Sequence, residues 1–153
     1  MLKESVSRPD SSSPAMLSWS RSARHCWGIV SPARAETRAR MASSIERIAR
    51  HVRAAKGFLG PDVRLVVLPE YFLTGYPLGE TIPEWADKAA LAPVGPEYEA
   101  LGRIASDNNV YLAGNAYETD AAFPDFYFQT SFVVAPSGEV ALRYAQSQQA
   151  QQC

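Results

Sequence analysis

The sequence predicts an α/β fold with a mixed sheet. One indication is a helical period: Met41, Ile45, Ile48 and Val52 are spaced four, three and four, which puts them on one face of a helix. Another is the unbroken apolar run over residues 63–68, Val-Arg-Leu-Val-Val-Leu, which ends at Pro69 and reads as a strand covered on both faces. A third is a pair of strand-like segments, 126–135 and 140–144, joined by Pro136, Ser137, Gly138 and Glu139, a turn that makes this pair antiparallel.

The elements follow in order. Residues 1–35 are rich in Ser, Arg and Pro and have no sustained apolar period, so they are expected to form a flexible leader; residues 27–30 are the one short strand candidate. A helix begins near Glu36, with Arg40, Arg47, Arg50 and Arg53 on its solvated side and Gly57 at the position of a C-terminal cap. After the strand at 63–68 comes a loop through Thr74, Gly75, Tyr76, Pro77 and Gly79. Pro83-Glu84-Trp85 and Pro96-Glu97-Tyr98 each read as a helix start, because proline's missing N–H costs nothing in the first turn. A strand is predicted over 110–117, then the antiparallel pair. From Ala145 to Cys153 the chain is Gln-rich without apolar period, and a low-complexity tail is expected. The organisation is therefore leader 1–35, folded domain 36–144 and tail 145–153.

Composition narrows the function classes. With 153 residues, 46% hydrophobic and 20% charged, the chain can build a core, and wholesale disorder is excluded. No run approaches the roughly 18 apolar residues of a membrane helix, so no membrane partner is expected. Residues 1–56 hold eleven Lys/Arg against four Asp/Glu, and residues 57–153 hold four against twelve, giving +7 and −8. The basic part lacks a nucleic-acid motif, and no nucleic-acid partner is expected. Cys26 and Cys153 show neither disulfide nor metal spacing, and His51 has no second ligand, so reduced thiols, a cytoplasmic location and no metal are expected.

Glu70 is the candidate catalytic residue. It closes a strand and precedes a Gly-containing loop, where α/β sheets place their ligand crevices, and partial desolvation there suits a carboxylate to proton transfer. The plain alternative is a surface carboxylate capping the next turn.

Residues 65–77, Leu-Val-Val-Leu-Pro-Glu-Tyr-Phe-Leu-Thr-Gly-Tyr-Pro, resemble the first catalytic motif of the nitrilase superfamily, the carbon-nitrogen hydrolases. Residues 110–115 resemble its following strand, and residues 129–140, opening with Gln129-Thr130, its next hairpin. The resemblance covers about residues 40–144, the first half of a family domain. It implies a partial α-β-β-α sandwich, hydrolysis of a small nitrile or amide through a Cys-Glu-Lys mechanism, and no cofactor. Glu70 would be the general acid/base. A thiolate would attack the electrophilic carbon, and a lysine would stabilise the tetrahedral intermediate.

The other two residues do not carry over. Arg143-Tyr144 resembles the end of the strand before the family's lysine, but Ala145-Gln146 follows, and no lysine occurs after Lys88. Cys26 precedes Glu70 and Cys153 ends the tail, so neither matches the family's nucleophile. A truncated, frame-shifted or mis-predicted product, catalytically inactive, is the expectation. The alternative is a non-enzymatic fragment that associates with itself or with a full-length homologue. An unrelated small-ligand module ranks last, because no GxGxxG or P-loop pattern is present.

Overall fold

The computed structural model describes residues 33–77 and 79–147. Helix α1 (Arg34–Leu59) leads to β1 (Leu65–Val67), then α2 (Ile82–Ala89), α3 (Pro96–Asn108), and strands β2 (Tyr111–Asp120), β3 (Phe123–Val134) and β4 (Val140–Ser147). The four strands form one sheet in chain order, with β1 parallel to β2 and the other pairs antiparallel. This is the mixed α/β architecture that the spacing predicts. The expected strand at 27–30, Cys26 and Cys153 lie outside the described residues.

Helix α1 buries Met41, Ile45 and Val52, with Ile48 partly covered, and leaves Arg40, Arg47, Arg50, Arg53 and His51 exposed. Its end differs from expectation. The helix passes through Gly57 and stops at Gly60, which adopts φ 99° and donates its N–H to the Lys56 carbonyl at 3.0 Å. A glycine inside a helix costs about 1 kcal/mol, and tertiary contact offsets it here: Lys56 Nζ reaches the carbonyls of Asn108 and Asn109 at the end of α3. Both proline-led starts hold. Helix α2 has a reciprocal capping box, in which Thr81 Oγ1 accepts from the Glu84 N–H and Glu84 accepts from the Thr81 N–H at 2.8 Å.

The larger core lies on one side of the sheet. Leu112, Ala116, Thr130, Phe132 and Val134 face the helices, where they meet residues such as Tyr98, Leu101, Ile104 and Met41. The alternate residues form the other face, where Tyr71 and Trp85 cover Tyr117 while Leu65, Val67, Leu142 and Tyr144 stay exposed. The expectation that residues 63–68 are buried on both sides therefore fails. Leu65 and Val67 are 56% and 69% exposed, and β1 lies at the edge of this sheet. Its ladder extends slightly beyond the three-residue strand, from the Arg64 carbonyl to the Leu68 N–H, and ends where Pro69 has no proton to donate. Strand β4 continues through Ala145, Gln146 and Ser147, which pair with residues 128–130. Backbone pairing holds these polar residues without an apolar period, which is why the expected tail begins in a strand.

A polar network is enclosed on the helix side. Glu118 accepts from the Tyr98 hydroxyl and pairs with Arg143 Nε at 3.2 Å, while Arg143 Nη2 donates to the Pro93 carbonyl at 3.0 Å. The network ties the α2–α3 connection to β2 and β4. Burial raises the Tyr98 phenol far above its ordinary value of 10.0, and the hydrogen bond to Glu118 adds to the rise. The folded state thus holds this proton more tightly than the unfolded chain. The contribution is complete below about pH 10 and falls as the pH rises above it, by up to about 1.4 kcal/mol per pH unit. Urea midpoints at about pH 9 and about pH 11 should show this loss, and Tyr98→Phe should reduce it, leaving the part from buried Tyr117, whose phenol is raised too.

Candidate active site

Glu70 stands immediately after the parallel pairing of β1 and β2 ends, with its side chain over the less covered face of the sheet. Gln129 Nε2 on β3 donates to Glu70 Oε1 at 2.8 Å, and the Tyr76 hydroxyl donates to Oε2 at 3.2 Å. Both donors are neutral, and among the described residues no ion pair involves Glu70. The carboxylate is oriented without a fixed positive charge beside it. It is exposed, whereas its sequence position suggests partial desolvation. The thin cover on this sheet face explains the difference.

An open cleft of about 430 Å³ runs from Glu70 across the sheet and is lined by Val67, Asn115, Gln129, Ser131 and Leu142 among others. The Asn115 carboxamide oxygen is buried without a hydrogen-bond partner. The cleft joins a carboxylate, two neutral amides and an apolar wall, a set suited to holding a small polar group against a proton donor or acceptor. Among the described residues no group of three or more His, Cys, Asp or Glu could hold a metal ion.

The loop after Glu70 is anchored twice. Tyr71, 8% exposed, stacks on Tyr117 with ring centres 4.7 Å apart, and Trp85 meets Tyr117 edge-on at 5.7 Å. Farther on, Glu80 and Lys88 form an ion pair at 2.9 Å with side chains only 8% and 11% exposed. Lys88, the last lysine of the sequence, is thus engaged in holding the loop to α2.

Sequence reasoning singles out Glu70 but gives no site role to Gln129, Tyr76, Tyr71 or Asn115. Gln129 is visible as the head of the Gln-Thr pair. Its meeting with a residue 59 positions away depends on strand order and register, which pair Gln129 with Tyr117 and turn its side chain toward Glu70. Neither Cys26 nor Cys153 is placed, and no lysine follows β4 in the sequence.

A mixed sheet with helices packed on it and a carboxylate at the carboxyl end of a parallel strand is an α/β architecture with a candidate acid where such sheets bind ligands. The family model for carbon-nitrogen hydrolases matches residues 23–151, and the chain belongs to that family. Its fold is similar to that of Nit3 of Saccharomyces cerevisiae, a member of branch 10 of the nitrilase superfamily. That match has 23% identity, covers 70% of this chain and 39% of that one, and has a TM-score of 0.58. An N-terminal amidase with an Asn-Glu-Ala peptide matches at 18% identity, with coverages of 73% and 26% and a TM-score of 0.57. A carbon-nitrogen hydrolase from Helicobacter pylori G27 matches at 20% identity, with coverages of 69% and 35% and a TM-score of 0.51. The chain thus spans between 26% and 39% of the length of these structures. A comparison with curated proteins finds no match. Among the described residues no helix is long and apolar enough to cross a membrane.

Proposed function

We propose that this chain carries the proton-transfer part of a carbon-nitrogen hydrolase, with Glu70 as general acid/base for a small nitrile or amide. The observation that supports this most directly is the Glu70 carboxylate, held by Gln129 at 2.8 Å and Tyr76 at 3.2 Å at the head of the open cleft. In the reaction of an amide, a thiolate adds to the carbonyl carbon and the C=O electron pair moves onto oxygen. Collapse of that adduct breaks the C–N bond while Glu70 gives a proton to the departing nitrogen. The carboxylate then takes a proton from the water that attacks the thioester, and collapse of that adduct breaks the C–S bond, releases the acid and restores the thiolate with Glu70 protonated as at the start.

The nucleophile and the lysine of this scheme match no residue of the 153, so the polypeptide alone should not turn over substrate. Proton transfer contributes about 10²- to 10⁴-fold, but here it has no covalent step to assist. Members of a catalytic unit act together, and most of the rate is lost when one is missing. We place the chain in the cytoplasm, consistent with two cysteines that lack disulfide spacing. In this reading the catalytic unit takes in the ends of the expected leader and tail, since α1 begins at Arg34 and β4 runs to Ser147.

The exposed part of that sheet face favours a second reading, a fragment that docks on another copy or on a full-length relative. Leu65, Val67, Leu142 and Tyr144 are each more than half exposed on that face, an apolar surface of the kind that marks association. One experiment separates the readings. Purified chain is assayed against short aliphatic nitriles and amides, alone and mixed with a full-length relative whose own glutamate has been changed to glutamine. No turnover alone, with turnover restored in the mixture and lost again with Glu70→Gln, is the expected result. Co-elution without restored turnover would favour the docking role alone. Turnover by the chain alone that disappears in Cys26→Ala or Cys153→Ala would show a relocated nucleophile and overturn the incomplete-site reading.

A further inference from the structure

We propose that Tyr71 is a positioning residue for Glu70, its left-handed backbone turning the loop back so that the Tyr76 hydroxyl reaches the carboxylate; this rests on reading Glu70 as the proton shuttle. Two non-glycine residues in the described backbone have positive φ, Tyr71 and Asn109, each at 50°. Asn109 caps α3, a place where asparagine tolerates this conformation. A tyrosine has no such excuse, because its Cβ crowds the following carbonyl. Strained residues that persist next to reactive groups are held there by their surroundings.

The surroundings here are specific. The Tyr71 ring is clamped between Tyr117 and Tyr76, with ring centres 4.7 Å and 4.3 Å away. Its carbonyl accepts from the N–H groups of Thr74 at 3.2 Å and Gly75 at 3.0 Å, which reverses the chain. The reversal returns Tyr76 to Glu70. A single unfavourable backbone angle thus brings a carboxylate and three phenols into one cluster. An extended conformation at residue 71 would send Tyr76 away from Glu70.

The test reads the carboxylate directly and does not depend on turnover. The purified chain is treated with a water-soluble carbodiimide and an amine, and peptide mass spectrometry gives the labelling rate of Glu70 relative to exposed Glu139 in the β3–β4 turn. Tyr71→Val disfavours the left-handed backbone that brings the Tyr76 hydroxyl to Glu70. The Glu70:Glu139 ratio should rise about fivefold, the factor expected for one lost hydrogen bond. Tyr71→Gly adopts positive φ without strain and should leave the ratio near the wild-type value. General loosening of the fold would raise both labels and leave the ratio unchanged. An unchanged ratio in Tyr71→Val, or an equal rise in Tyr71→Gly, would overturn the proposal. Failure of the acid/base reading would show instead as turnover in the mixed assay that persists in Glu70→Gln while the labelling ratios still respond.

Discussion

Gly102→Ala is expected to be the most damaging single-methyl change in the chain. A Cβ at this position of α3 would lie 2.3 Å from the carbonyl oxygen of Gly138 and 3.2 Å from its carbonyl carbon. Both neighbours are backbone, so no side chain can swing aside. Gly138 itself has φ 90° in the β3–β4 turn and cannot readily change conformation. The helix and hairpin must separate, which should cost about 3 kcal/mol, the upper end of ordinary overpacking. Gly57→Ala is the matched control. It also lies in a helix, but a Cβ there meets nothing within 4 Å. It should stabilise the chain by about 0.5–1 kcal/mol. Urea midpoints moving in opposite directions for the two substitutions would check the expectation, and a Gly102→Ala chain as stable as wild type would refute the contact.

Phe132→Ala should lose a comparable or larger amount. Phe132 is 1% exposed, meets Tyr98 edge-on at 5.1 Å and lies 6.3 Å from Phe72. Its ring tip also fills the space above Gly114, where an added Cβ would come within 2.8 Å of it. Removing the ring forfeits its burial and leaves a cavity between α3 and the sheet, about 3–5 kcal/mol in comparable cores. Typical domains have only about 5–15 kcal/mol in total, so much of the population should unfold. Phe132→Leu, which keeps most of the volume, should cost about 1.5 kcal/mol or less. Denaturation monitored by circular dichroism distinguishes the three chains. The functional consequence follows from sequence neighbours: Phe72 succeeds Glu70 and Tyr71, so the core that Phe132 completes also seats the loop of the candidate site.

Several features were legible because they are local. The spacing of Met41, Ile45 and Val52 is a property of one helix, and these three are its buried apolar residues. Proline at the head of α2 and α3 marks their starts without reference to any other element. The Pro136–Glu139 stretch turns the chain because Gly138 adopts positive φ, and the strands on either side then pair. Glu70 stood out for the same reason, lying at a strand end inside a recognisable motif.

Other features depended on what packs against what. Gly57 has the composition of a cap, yet Lys56 reaching the end of α3 carries the helix on to Gly60. Residues 145–147 lack an apolar pattern, yet β3 offers them backbone partners. The run at 63–68 is apolar enough for a strand covered on both faces, but coverage is supplied by neighbouring elements, and none packs over Leu65 and Val67 among the described residues.

By itself the sequence determined the order and type of the elements, the position of Glu70 and membership of the carbon-nitrogen hydrolase family. These rest on short-range periodicity, turn chemistry and contiguous motifs. The tertiary structure decided which residues hold Glu70. Gln129 is 59 positions away and reaches the carboxylate only through sheet order and register. Tyr76 is six positions away but returns only because Tyr71 accepts a left-handed backbone. Contacts of that kind are set by packing, whose free energy belongs to the assembled layers and not to any one stretch of chain.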